Sequence, residues 1–367
     1  MNDFVITATR SMRDYASRVV EHLTKIPPFS ETTETINEVD LLSADRFADG
    51  EMEVSLKKSV RGKNITLFAG CCRNDKGIEV EVSKIELYHT VDALKRCQAK
   101  HITVFEPYIS SSRSDRATRR SSVGLWGHFK ILASLGVEHI TTYQLHSNKS
   151  RAMLDPAICT IDDIPALTLL QRYLCDVYIQ SMSTLESEVR PNWAFCSVDA
   201  GGEKLAREFA NGFGSALVVA HKQRDYSKSN TIESINILSA EPVEGKVLWI
   251  VDDMIDTAGS VESLIRTLAS LKPKEVNIIA VHALFSPPAE KRLSRLSSEG
   301  LLNRIIVTDT VGTSVFPEAI PRLEVVPSAE LSAKIIHHIA TNKSVGKLMR
   351  PFEAEKYLNS PNLFNAP

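Results

Sequence analysis

The chain has 367 residues, enough for two domains, and its 43% hydrophobic and 24% charged residues are those of a globular protein rather than a disordered or fibrous one. A formal net charge of −2 gives no electrostatic footprint for nucleic acid or an anionic membrane, so local basic clusters must do any phosphate binding. The six cysteines lack a repeated C-x-x-C spacing, so neither a zinc site nor a disulfide framework is indicated. No apolar run approaches a membrane span and the first residues lack a signal-peptide core, so reduced thiols and a cytoplasmic location are expected.

The first informative segment is Arg46-Phe47-Ala48-Asp49-Gly50-Glu51, an aromatic among charges with a glycine between two carboxylates, which by itself reads as a turn. Ser59-Val60-Arg61-Gly62 reads as an exposed turn before a strand at residues 65–69. Helical spacing follows at 85–97, a strand at 101–106, helical spacing at 126–135, and a strand at 139–145. Arg113-Ser114-Asp115-Arg116 lies after the second of these strands, where two guanidinium groups suit a polyphosphate or simply face solvent. His146 ends the third strand, where a neutral imidazole could bind metal.

Pro156, Pro165 and Pro191 punctuate less regular sequence between residues 155 and 191, the expected boundary. A second series of strands follows at 193–198, 216–219, 247–251, 276–281 and 304–307. Strands alternating with helices predict two α/β halves, each a mainly parallel sheet with helices on its faces. Asp199-Ala200-Gly201-Gly202 follows the first of these strands, with glycines that permit close backbone approach. His221-Lys222-Gln223-Arg224 follows the second and opens a polar, mobile-looking segment through Asn230.

The most telling run is Asp252-Asp253-Met254-Ile255-Asp256-Thr257-Ala258-Gly259-Ser260, between the apolar strand 247–251 and helical spacing at Val261, Leu264, Ile265, Leu268 and Leu271. Small residues, hydroxyls and backbone N–H groups at a helix N-terminus suit a phosphate, whereas the paired aspartates repel one. A ligand that satisfies both carries an anion at one end and hydroxyls or a shared Mg²⁺ at the other, as a ribose phosphate does. Further on, Ser328 is placed to cap a helix carrying Leu331, Ile335, Ile336 and Ile339, and beyond about residue 342 the chain reads as a weakly structured extension.

Taken in order, these segments resemble the ribose-phosphate pyrophosphokinase family, of the type I phosphoribosyltransferase fold, from about residue 46 to about residue 340. The resemblance implies an N-terminal domain at 1–165 with the ATP loop and oligomer contacts, and a C-terminal domain at 166–325 with the ribose-phosphate loop. It also implies a helix at 326–345 packing back on the first domain, and a tail at 346–367. It implies transfer of pyrophosphate from ATP to ribose 5-phosphate, giving phosphoribosyl pyrophosphate and AMP. ATP would be bound by Phe47, Asp49, Gly50, Glu51, Arg113, Ser114, Asp115 and Arg116. Ribose 5-phosphate would be bound by Arg224, Asp252, Asp253, Asp256, Thr257, Ala258, Gly259 and Ser260, with the aspartates acting directly or through metal. Lys222 and Arg224 would be catalytic, His146 and Asp199 would hold Mg²⁺, and Ser59 and Arg61 would form a regulatory phosphate site. Inorganic phosphate and ADP as effectors, and a homo-oligomer, often a hexamer in the family, are further expectations. Ser114 and Gln144 stand where the family commonly has Gln and Asp, which keeps open a non-catalytic regulatory homologue; a phosphoribosyltransferase is the third reading.

Overall fold

The computed structural model describes residues 4–31, 37–72, 77–118, 120–224, 232–312 and 316–360. The chain divides into two compact units, the first comprising Met1–Pro165, Thr310–Val315 and Pro327–Met349, the second Ala166–Asp309, Phe316–Val326 and Arg350–Pro367.

In the first unit the chain runs β1 (Phe4–Ala8), α1 (Arg13–Leu23), β2 (Leu42–Arg46), β3 (Met52–Leu56), β4 (Asn64–Phe68) and α2 (Val80–Arg96). It continues through β5 (His101–Phe105), α3 (Gly124–Ser134), β6 (His139–Tyr143) and β7 (Thr160–Ile164). Five strands form a wholly parallel sheet in the order β1-β4-β5-β6-β7, and β2 and β3 form a separate antiparallel hairpin. Helix α2 buries Leu87, Val91 and Leu94, and α3 buries Leu125, Phe129 and Leu132, both at i, i+4, i+7 spacing. These faces close over Leu67, Val104 and Ile140 in one apolar core. Strands β1 and β7, which the sequence reading does not include, complete the two edges; β1 is a short apolar run at the very start of the chain, whereas β7 carries two aspartates.

The second unit opens with α4 (Leu167–Leu174) and wide π turns at Cys175–Ile179 and Leu185–Val189. Then come β8 (Trp193–Ser197), α5 (Glu203–Phe213), β9 (Ala216–Arg224), β10 (Ile232–Ser239), β11 (Val247–Ile255), α6 (Gly259–Ala269), β12 (Glu275–Ala283), α7 (Ala289–Ser298), β13 (Arg304–Thr308) and β14 (Leu323–Val326). The seven-stranded sheet has the order β10-β9-β8-β11-β12-β13-β14, and only the β9–β10 pair is antiparallel. From β8 the chain moves to β9 on one side and then returns to β11 on the other. That reversal opens a crevice beyond the carboxyl ends of β8 and β11, where open α/β sheets take their ligands.

Helix α8 (Ala329–Ala340) belongs to the first unit, where Ser332 Oγ is hydrogen-bonded to the hydroxyls of Tyr15 (2.8 Å) and Tyr143 (2.7 Å). Ser328 stands at its N-cap position but makes no side-chain cap; its hydroxyl bonds that of Tyr15 at 2.7 Å instead. The weak tail expected from the sequence contains a further short helix, α9 (Ala354–Asn359), in the second unit. Phe352 and Tyr357 are buried there, with Phe352 5.8 Å from the Phe213 ring and the Tyr357 hydroxyl donating to Asp176 at 2.9 Å. The cysteines form no disulfide; Cys97 is exposed and the other five are buried. Among the described residues no helix is long and apolar enough to cross a membrane.

Candidate active site

The run from Asp252 differs in one respect from its sequence reading. Instead of opening a loop, Asp252 and Asp253 continue β11, which stays paired with β12 through Ile255 and Ala283, while its pairing with β8 ends at Val251 and Ser197. The aspartates are therefore fixed by a strand ladder at the mouth of the crevice. Asp253 is buried, and its N–H donates to Asp252 Oδ1 at 2.9 Å. Burial, the Asp253 charge and hydrogen bond beside it, and the Asp199 carboxylate push Asp252 well above the usual carboxylate range. Such a cluster favours a cation, a proton or hydroxyl donors.

Asp199 reaches this mouth from the end of β8, on a turn its own side chain organises: Oδ1 accepts from the N–H groups of Gly201 (2.9 Å) and Gly202 (3.2 Å). Asp256 and Thr257 form the bend after β11, and Ala258, with φ +58°, turns the chain into α6. Gly259 and Ser260 are the first residues of that 11-residue helix, so the run ends on a helix N-terminus. The bend has a contact that sequence reasoning missed: Arg292 Nη1, from α7, donates to the Thr257 carbonyl at 2.8 Å. No local pattern marks Arg292, because its partner lies 35 residues away.

Lys222 and Arg224 do not open a loop. They are the last turnward residues of β9, paired with Ile235 and Ile232 of β10, because the ladder with β10 carries the strand beyond its apolar part. Residues 225–231, most of the polar segment read from the sequence, lie outside the described residues. In the second unit the structure thus gathers Asp199, Asp252, Asp253 and the turn 256–260 at one end of adjacent strands.

The first unit holds the remaining candidates. Phe47, Asp49, Gly50 and Glu51 form the tip of the β2–β3 hairpin, closed by Phe47 N–H to Glu51 O (2.9 Å) and Gly50 N–H to Phe47 O (2.9 Å). Gly50 has φ +94°, a region other residues rarely enter, and Asp49 Oδ1 accepts from Glu51 N–H at 3.1 Å. The Phe47 side is 54% exposed. After β5, Ser114 is tied into its own loop: its N–H donates to Ser111 O (2.7 Å) and its Oγ accepts from Gly124 N–H (2.9 Å), anchoring the start of α3. Arg113 and Arg116 are exposed on that loop, and Asp115 is half-buried. His146 is exposed just past β6, the neighbouring strand, so it shares the carboxyl edge of this sheet with residues 113–116. Ser59 and Arg61 precede β4 and therefore occupy the opposite, amino edge; Ser59 Oγ accepts from Arg61 N–H, and Arg61 Nη1 donates to Gln98. No group of three potential metal ligands is already drawn together among the described residues.

Comparison with known proteins identifies the family of both halves of the chain. A model described as the N-terminal domain of ribose phosphate pyrophosphokinase matches residues 4–136, and a phosphoribosyl transferase domain model matches residues 183–308. A ribose-phosphate pyrophosphokinase of Burkholderia pseudomallei is 31% identical over 83% of this chain and 87% of its own length. One of Mycoplasma pneumoniae is 29% identical over 95% of both chains, and ribose-phosphate pyrophosphokinase 2, chloroplastic, of Arabidopsis thaliana is 32% identical over 85% of this chain and 72% of its own. The crystal structure of phosphoribosylpyrophosphate synthetase from Mycobacterium smegmatis superposes with a TM-score of 0.75 at 25% identity, covering 93% of this chain and 99% of that one. With the run from Asp252 to Ser260 at the switch point of the second sheet and both halves matched in sequence, the chain belongs to the ribose-phosphate pyrophosphokinase family.

Proposed function

We propose that this protein transfers the β,γ-pyrophosphoryl group of ATP to the 1-hydroxyl of ribose 5-phosphate, giving phosphoribosyl pyrophosphate and AMP for nucleotide biosynthesis. The observation that carries the reading is the run from Asp252 to Ser260, which meets both needs of a ribose phosphate: carboxylates on a rigid strand and a helix N-terminus one turn away. In this reading the turn 256–260 takes the 5-phosphate, and Asp252 and Asp253 orient the ribose hydroxyls. Catalysis then comes mainly from positioning and from charge placed around the transferring group. Lys222 and Arg224 supply that positive charge from the end of β9. Phe47 stacks on adenine, Asp49, Gly50 and Glu51 bind the nucleotide beside it, and residues 113–116 bind its phosphates, Arg113 and Arg116 through their guanidinium groups.

The carboxylate oxygens of Asp199, Asp252 and Asp253 are of the donor type a hard cation takes, and Asp252, pushed up first by burial and then by the neighbouring carboxylates, would be held ionised by one. His146 in the first unit and Asp199 in the second are each proposed as Mg²⁺ ligands, and the ion when bound would offset charge on the phosphates. Ser59 and Arg61 are the proposed contacts of a regulatory phosphate, with ADP a second effector. A cytoplasmic homo-oligomer, hexameric as in the family, completes the reading. The non-catalytic alternative draws on Ser114, whose hydroxyl is occupied by Gly124, and on Gln144 in place of a carboxylate. AMP formation from MgATP by the purified protein, with and without ribose 5-phosphate and at several inorganic phosphate concentrations, separates them. Sugar-dependent AMP is expected; folded protein that releases none under any condition is the regulatory homologue.

A further inference from the structure

The turn that bears the proposed 5-phosphate contacts is held from behind. Arg292 of α7 donates from Nη1 to the Thr257 carbonyl at 2.8 Å, and its Nε lies 3.3 Å from Glu262 Oε2 in the first turn of α6. Glu262 is only 14% exposed and also accepts from Arg295 and, at 3.3 Å, from Arg266 Nη2. One carboxylate therefore fastens α7 to the start of α6, and the Arg292 fork spans from that carboxylate to the turn.

Two features of the turn follow from this. Ala258 has φ +58° and ψ 12°, a left-handed conformation that an L-residue with a Cβ adopts at a cost and keeps only when its surroundings impose it. Gly259 is not in that region, yet a Cβ there would lie 3.0 Å from Arg292 Nη1, closer than real Cβ atoms normally approach. The glycine leaves room for the guanidinium. In a trans peptide the carbonyl and the following N–H point in opposite directions. With the Thr257 carbonyl drawn to Arg292, the Ala258 N–H faces away from Arg292, as an anion-binding turn needs.

We propose that Arg292 is a positioning residue for the sugar phosphate: by holding the Thr257 carbonyl on the outside of the turn, it aims the Ala258 N–H and the start of α6 at the phosphate. Gly259 is small to admit that guanidinium. The inference rests on the ribose 5-phosphate reading of the same turn. It is tested with the full chain by calorimetric titration with ribose 5-phosphate, alongside steady-state KM values for both substrates.

Arg292→Lys keeps the charge but loses the fork, and is expected to weaken ribose 5-phosphate binding roughly tenfold, the scale of one charge-assisted hydrogen bond. The KM for ATP stays within about twofold, and the thermal midpoint within about 2 °C, since the charge is kept and Glu262 remains paired with Arg266 and Arg295. Gly259→Ala is the second lever: its Cβ makes the Arg292 guanidinium give by a few tenths of an ångström, so sugar-phosphate affinity falls roughly threefold in the wild-type background, and the penalty disappears when combined with Arg292→Ala, because the obstructing group is gone. Equal affinities for wild type and Arg292→Lys, or equal Gly259→Ala penalties in both backgrounds, overturn the proposal and leave the parent reading standing. A wild-type protein that binds no ribose 5-phosphate removes both.

Discussion

Phe47 carries an aromatic ring at a hairpin tip, where it covers little of its own chain and 54% of it is exposed. If that ring stacks on adenine, Phe47→Ala raises the KM for ATP roughly tenfold, since a base–aromatic contact contributes ~1–3 kcal/mol. The thermal midpoint and the KM for ribose 5-phosphate are unchanged, and initial rates over a range of ATP decide it; an unaltered KM for ATP removes Phe47 from the site. Lys222 is a different case, because its charge is assigned to the transferring group. Lys222→Ala lowers kcat by roughly 10²–10³, the scale of one preorganised donor, and an unchanged kcat in steady-state assays excludes it from the mechanism. Residues of this kind are legible in the sequence because their partners adjoin them: Asp199 meets Gly201 and Gly202, and Asp252 meets Asp253. The tie that holds Ser114 and the reach of Arg292 are not, because Ser114 Oγ accepts from a backbone N–H ten residues on and Arg292 reaches 35 residues back.

Elements show a similar division. The interior strands β4, β5, β6, β8 and β11 and helices α2 and α3 stand out as apolar runs and i, i+4, i+7 faces, since each is buried by its own pattern. The ends of β9 and β11 do not, because Lys222, Arg224, Asp252 and Asp253 are held in strands by a neighbour's ladder, β10 for one and β12 for the other. Helix α9 has six residues, too few for a period to show, and tertiary contact decides it. Its anchor is testable. Phe352 is 6% exposed and packs against Phe213, so Phe352→Ala costs about 3–5 kcal/mol by loss of burial and creation of a cavity. Urea unfolding measures it, and a loss below about 1 kcal/mol would mean that the tail contributes little to the second unit.

At the scale of the whole molecule, each unit encloses its own apolar core beneath a largely parallel sheet, so each half of the proposed reaction has a rigid scaffold. The near-neutral net charge is compatible with this, because phosphate recognition is left to a few local groups. One consequence concerns the sulfur atoms. Cys97 is exposed, whereas burial pushes the Cys72, Cys175 and Cys196 thiols up to about 12 and Cys71 well above its ordinary value. An aromatic disulfide reagent should therefore count one fast equivalent per native chain and all six in denaturant, so the colour yield reports the folded fraction over time. More than one fast equivalent would show that a buried thiol is accessible. Since Cys97 closes α2 just before β5 begins, a dye attached there marks the amino edge of the first sheet and leaves the carboxyl edge open, a ready handle for fluorescence work.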